Sequence, residues 1–433
     1  METNRNYDMP NNKLIEIIEN QPIINLGCLG SVSDGKSTLV ECLTGIKTQR
    51  HSNEQKRNIT IKQGYGNMKI WTNGNELYTT NSKCNNYITE SGENLYQINH
   101  ISFVDCPGHQ ELIQTMLSAI KLMDGAIIIV AVDQPLIRKP QLIQHLAAAK
   151  LGKLNKIIIC MNKIDLVPKE ILFEIKQELD EMLEKYDIKP FAIIPTCFNK
   201  KIGLKNLLKA IMILFNPNEY IERINNPPTF LISRTFDINK PGTNWDNIVG
   251  GIMGGSLMSG TLQVGDKIEI RPGQVSKVQG KFICQPIKTE ILSIQSDENS
   301  IQKIIPGGLM GIRTDLDPYY AKNDALAGNI TGLIGTLPSI YIEIIIDVQI
   351  VTTFDFNWNP NPNIDQVMLQ IGTKMVDAKL QNIRGSKFKF ELARPTCINN
   401  NQHIIICKSI EKILRIVGEG IMITEDNINK LVE

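Results

Sequence analysis

Residues 30–37 read Gly-Ser-Val-Ser-Asp-Gly-Lys-Ser, two glycines five positions apart closed by a Lys-Ser pair, which is the spacing of a phosphate-binding loop. The glycines let successive backbone N–H groups turn toward phosphate oxygens. The Lys36 ammonium reaches the outer phosphates and the Ser37 hydroxyl suits Mg²⁺. Gly30, Ser33, Asp34, Gly35, Lys36, Ser37 and Thr38 are therefore candidate phosphate-contacting positions. The apolar run Ile23 to Cys28 before the loop predicts a strand, and Thr38 to Leu43 after it predicts a helix whose N-terminal dipole favours an anion.

Two further clusters give the loop a context. Asp105-Cys-Pro-Gly108-His109 ends the predicted strand Ile101 to Val104, where an acid reaches a metal through water and Gly108 leaves room for a γ-phosphate. Asn162-Lys163-Ile-Asp165 ends the predicted strand Lys156 to Cys160. There the Asp165 carboxylate accepts the N1 and N2 hydrogens that guanine offers and adenine lacks, while Lys163 covers the base. An acid ending a strand is an ordinary turn former, and neither cluster is specific alone. In this order, each at a strand's carboxyl end, the three converge on one crevice of a doubly wound sheet. Thr60, in Arg57-Asn-Ile-Thr-Ile61, completes a Mg²⁺ shell only while a γ-phosphate holds its segment. The expected ligands are GTP or GDP with Mg²⁺.

The elements that must position these residues follow from periodicity. Strand-like runs Ala126 to Val132 and Phe191 to Ile194 join those named above. They alternate with helical patterns at Gln110 to Met123, Pro140 to Lys150, Lys169 to Lys185 and Leu204 to Phe215. The expectation is an α/β P-loop GTPase domain over 21–217, with helices on both faces of a mostly parallel sheet. Residues 1–20 read as an N-terminal extension, and the Asn-rich stretch 74–99 as an insertion loop. After Asn216-Pro217, recurrent Gly and Pro bound short β-branched runs, and a second such series starts after Leu337-Pro338. Two β-barrel domains are expected, 218–336 and 337–433.

Bulk properties exclude other classes. Forty-six Lys and Arg against 45 Asp and Glu leave no global field for a polyanion, so any such partner is held by local patches. The longest apolar run, Gly125 to Val132, is too short to cross a bilayer, and no membrane partner is expected. The nine cysteines form no CxxC pair and several sit in apolar runs, as reduced thiols of a cytoplasmic protein do.

At His109, directly after Asp105-Cys-Pro-Gly108, the chain resembles translational GTPases. Gln55 to Gly66, Phe103 to Gln110, Asp124 to Val132 and Lys139 to Leu151 narrow the resemblance to the initiation factor 2 gamma family. So do Arg234 to Gly242, Gly250 to Ser256, Val264 to Gly273 and Pro306 to Leu309. The resemblance runs from about residue 21 and thins after 350. It implies that His109 orients the attacking water, and that the chain binds methionyl initiator tRNA in the GTP state and delivers it to the small ribosomal subunit. It further implies alpha and beta subunits as partners, with GTPase-activating and exchange factors.

Four departures from the family pattern stand out. His usually follows the first loop glycine and precedes the Gly-Lys; here these positions are Ser31 and Asp34. An acid pointing inward would weaken triphosphate binding, and the expectation is that it points away. Between Thr60 and Asp105 the only cysteine is Cys84, and four zinc ligands of the knuckle type cannot be assembled, so no structural zinc is expected. Cys197, Phe198 and Asn199 stand where a Ser-Ala pair would contact guanine O6 through backbone N–H groups. The C-terminal barrel is short and divergent. Two alternatives remain open from sequence: a selenocysteine-specific or general elongation factor, and a GTP-holding scaffold with little turnover.

Overall fold

A computed structural model of the chain describes residues 10–47, 64–106, 113–240, 242–244, 248–297, 299–351, 358–362, 364–411, 413–423 and 430–432. Thr60, Gly108 and His109 lie outside the described residues. The chain divides into two compact units, 1–222 with 297–299, and 223–296 with 300–433.

The first unit is built on a seven-stranded sheet. Its strands are β1 (Ile24–Leu29), β2 (Gly64–Thr72), β3 (Leu77–Asn81), β4 (Tyr96–Asp105), β5 (Gly125–Ala131), β6 (Ile157–Asn162) and β7 (Ala192–Pro195). They lie in the order β3-β2-β4-β1-β5-β6-β7. From β4 to β7 neighbours are parallel, while β2 and β3 add an antiparallel edge. The parallel strands β1, β5 and β6 are buried at every position, which is why they read as near-continuous apolar runs, broken only by Asn25 in β1 and the terminal Asn162 of β6, instead of alternating ones. The helices are α1 (Asn12–Asn20), α2 (Lys36–Thr44), α3 (Ile113–Ile120), α4 (Pro140–Leu151), α5 (Lys169–Lys185) and α6 (Leu204–Leu214).

Two expectations need correction here. The segment 1–20 is not simply an extension, because α1 buries Leu14 and Ile18 completely. The Ile18 carbonyl, an orphan acceptor near the helix end, takes a 2.6 Å bond from Gln97 Nε2 and lies 2.8 Å from His100 Nδ1, both on β4. Nor is 74–99 a loop throughout, since β3 falls inside it and β4 begins at Tyr96. Trp71 anchors this edge, its indole N–H bonded to Thr80 Oγ1 at 2.8 Å.

The second unit holds two closed six-stranded barrels. In the first, Lys267–Val278, Ile330–Leu333, Thr229–Phe236, Ile252–Ser259, Gly307–Thr314 and Lys281–Ser296 pair in that order, and the last returns to the first. Phe230, Ile232, Met253, Ile268, Ile294 and Ile312 fill its interior. In the second, Lys387–Cys397, Lys374–Arg384, Gln366–Ile371, His403–Ile410, Ile413–Ile423 and Ile340–Ile350 close in the same way. Ile344, Leu369, Leu380, Phe388 and Phe390 pack inside it. The link between barrels is gripped by Arg271, which donates to the carbonyls of Leu337 (3.1 Å) and Pro338 (3.0 Å) and pairs with Glu269 at 3.1 Å, both side chains buried. Among the described residues no helix is long and apolar enough to cross a membrane.

Candidate nucleotide site

The candidate residues of the first unit gather at the carboxyl ends of β1, β4, β6 and β7. Cys28 of β1 is in register with Asp105 of β4, so the loop that leaves β1 passes directly beside the Asp105 carboxylate. That loop turns at Gly30 (φ 143°), Ser33 (φ 64°) and Gly35 (φ 105°), all in the left-handed half of backbone space, before α2 begins. Lys36 folds back over it and donates from Nζ to the Ser31 carbonyl at 2.7 Å. Burial pulls the Lys36 ammonium below its ordinary range, opposed by the charges of Asp105 and Asp34. The Ser37 hydroxyl donates to Asp105 Oδ2 at 2.7 Å, bringing together two hard oxygen donors of the kind Mg²⁺ takes alongside phosphates and water.

Asp34 is 1 % exposed, and its carboxylate turns back into the protein. Oδ2 accepts the Ser31 backbone N–H at 2.8 Å, and Oδ1 lies 2.7 Å from Lys139 Nζ. Asn162 joins this loop to the other end of the crevice. Its Nδ2 donates to the Asp34 carbonyl at 2.9 Å and its Oδ1 accepts Phe198 N–H at 3.3 Å. Lys163 has a left-handed backbone (φ 65°) and pairs with Asp133 at 2.6 Å. Asp165 lies 3.0 Å from Lys200, and hydrogen bonds from Cys197 and Lys200 hold its carboxyl below the usual range, so it is ionised and ready to accept N–H donors. Cys197 and Phe198 are buried, Asn199 is exposed, and Thr38 is half-buried on the first turn of α2.

Lys139, Asp133, Lys200 and His145 were not singled out from sequence. His145 Nδ1, on α4, accepts the Gly30 N–H at 3.4 Å. The signal for Lys139 was present: Pro140 at N1 makes it the residue that caps α4, and a cation at the positive end of a helix dipole is out of place unless an acid holds it.

Residues 21–217 match the Elongation factor Tu GTP binding domain, and residues 348–422 match the C-terminal region of initiation factor eIF2 gamma. The eukaryotic translation initiation factor 2 subunit gamma of Encephalitozoon cuniculi is 34% identical over 94% of this chain and 94% of its own. The chain belongs to the initiation factor 2 gamma family. The Pyrococcus furiosus gamma subunit is 36% identical over 93% of this chain and 98% of its own. Elongation factor SelB of Methanococcus maripaludis superposes with a TM-score of 0.69 at 20% identity, over 94% of this chain and 80% of its own, so this chain shares its fold. As a gamma-family member the chain is a GTPase-type translation initiation factor subunit, and guanine nucleotide is its expected ligand.

Proposed function

We propose that this chain carries methionyl initiator tRNA to the small ribosomal subunit in its GTP state and releases it after hydrolysis. In this reading it is the core of a heterotrimer with alpha and beta subunits, cytoplasmic, and dependent on GTPase-activating and exchange factors. The supporting observation is the convergence of Lys36, Ser37, Asp105, Asn162 and Asp165 at the carboxyl ends of β1, β4 and β6, in a chain related nearly end to end to gamma subunits.

The backbone of Gly30 to Thr38 cradles the phosphates, and Lys36 leaves the Ser31 carbonyl to meet the outer ones. Ser37 and Thr60, with Asp105 through water, would hold Mg²⁺, which would supply neutralisation of phosphate charge. Asp165 accepts the guanine N1 and N2 hydrogens, Lys163 covers the base, and the backbone of Cys197 to Asn199 approaches O6. His109 orients the attacking water, and Gly108 reads the γ-phosphate.

Filter binding of charged initiator and elongator tRNA, each with GTP or GDP, tests cargo and switch together. Retention of charged initiator tRNA with GTP alone is the expected result. Equal retention under all four conditions would exclude the carrier role. Single-turnover hydrolysis at equal rates in the parent and His109→Ala would leave a scaffold that holds GTP without a catalytic histidine.

A further inference from the structure

An acid inside a phosphate loop needs a counter-charge, and here it comes from outside the three nucleotide motifs. Lys139 Nζ lies 2.7 Å from Asp34 Oδ1 and donates to the Ala131 carbonyl at 2.7 Å. The two side chains are 8% and 2% exposed, so water does not screen the pair. The same ammonium stands 3.8 Å from Asp133 Oδ1, and Asp133 Oδ2 is 2.6 Å from Lys163 Nζ. Charges therefore alternate along Asp34, Lys139, Asp133 and Lys163, from the phosphate loop to the motif that faces the base. Because Lys139 caps the positive end of α4, its place is unfavourable without these carboxylates.

We propose that Lys139 and Asp133 are positioning residues for nucleotide binding: Lys139 neutralises Asp34 and holds it turned away from the phosphates, and Asp133 ties that pair to Lys163. The inference rests on the reading that the site binds guanine nucleotide. Asp34 Oδ2 fixes the loop from within through the Ser31 N–H, and it keeps that orientation because Oδ1 is claimed by Lys139. Removing the lysine alone leaves a buried acid beside an anionic ligand. That penalty grows with the number of phosphates, whereas a general loosening of the fold weakens every guanine ligand alike.

Calorimetric titration of the full chain with GMP, GDP and a non-hydrolysable GTP analogue tests this. Lys139→Met is expected to weaken GDP binding by at least about tenfold, and the triphosphate by more. In the double variant Asp34→Asn with Lys139→Met, most of the lost affinity should return, because no unpaired charge remains. Asp133→Asn and Lys163→Met should be non-additive for GDP, since each cuts the same link. Equal losses for all three nucleotides, or a double variant weaker than Lys139→Met, would overturn the proposal. Should Lys139→Met fail to fold, Asp34→Asn is compared with the double variant: affinities within about threefold are expected, and a further tenfold loss would overturn it. A parent protein that binds none of the three nucleotides refutes the functional reading instead.

Discussion

Two glycines flank α2, and replacing each by alanine separates two costs that a phosphate loop combines. Gly35 caps the helix start at φ 105° and ψ 23°, and Gly45 caps its end at φ 70° and ψ 9°. Both conformations disfavour a Cβ, by about 1 kcal/mol near the left-handed minimum and up to about 3 kcal/mol away from it. At Gly45 nothing lies within 4 Å of the added atom, so only the smaller conformational cost applies. At Gly35 the Cβ would sit 2.4 Å from Asn162 Nδ2. Asn162 is buried and bonded at both ends of its amide, so relief of the collision forfeits the bond to the Asp34 carbonyl, about 1 kcal/mol more. The totals are about 4 kcal/mol for Gly35→Ala and about 1 kcal/mol for Gly45→Ala. Where the free loop relaxes and must regain this shape to hold phosphates, the larger figure shows up in binding as about a thousandfold loss. Thermal denaturation and GDP calorimetry on both variants measure the two costs. Equal destabilisation of the two, with Gly35→Ala binding GDP within about threefold of the parent, would refute the steric argument.

Asp165→Asn turns an acceptor into a group that also donates, so GDP affinity should fall by about 100-fold or more and xanthosine diphosphate should gain; a competition titration reads the ratio, and an unchanged guanine preference would place base recognition elsewhere. His100 is held neutral by burial, its pKa lowered from 6.5 to about 3. As pH falls through 6.5 the unfolded chain takes up a proton that the folded chain refuses. Stability is intact above pH 6.5 and declines toward pH 3, by up to about 5 kcal/mol. Melting temperatures between pH 7 and pH 4.5 should fall, less steeply in His100→Asn; identical slopes would contradict the assignment. Arg271→Met leaves the buried Glu269 carboxylate and two carbonyls without their guanidinium, which is expected to cost about 3–5 kcal/mol in thermal unfolding. Adding Glu269→Gln should recover part of it, and a loss under about 1 kcal/mol for the single change would show the pair to be dispensable.

The strands legible in the sequence were those that obey one rule throughout. Gly125–Ala131 is buried on both faces and uniformly apolar, Ile157–Asn162 is so up to its terminal Asn162, and the helix Lys169–Lys185 keeps its bounds because its buried stripe, Ile175, Leu179 and Leu183, has clean helical spacing. What escaped breaks that rule. β2 carries Lys69 with no exposed surface, an unreadable strand residue until its ammonium is seen to end on the Cys84 carbonyl (2.9 Å) and Asn85 Oδ1 (3.0 Å). α1 is short and depends on β4 for partners of its Ile18 carbonyl, a tertiary contact that local pattern does not encode. At the site, the motif residues were legible because their chemistry constrains type and spacing together. Lys139 showed only as a cation misplaced at a helix start, and its role stayed hidden because its partner Asp34 stands 105 positions away along the chain.

The buried pair also orders the substitutions by which such a loop diverges. A lysine arriving first at 139 finds an acid already in reach, Asp133 at 3.8 Å. An aspartate arriving first at 34 places a lone charge where 1 % of the residue meets solvent. The cheaper of the two single changes is therefore the lysine at 139, and the acid at 34 alone is the costly one. The acid in the loop is, on this account, one half of a buried charge exchange in which the lysine half is the one that stands alone at little cost.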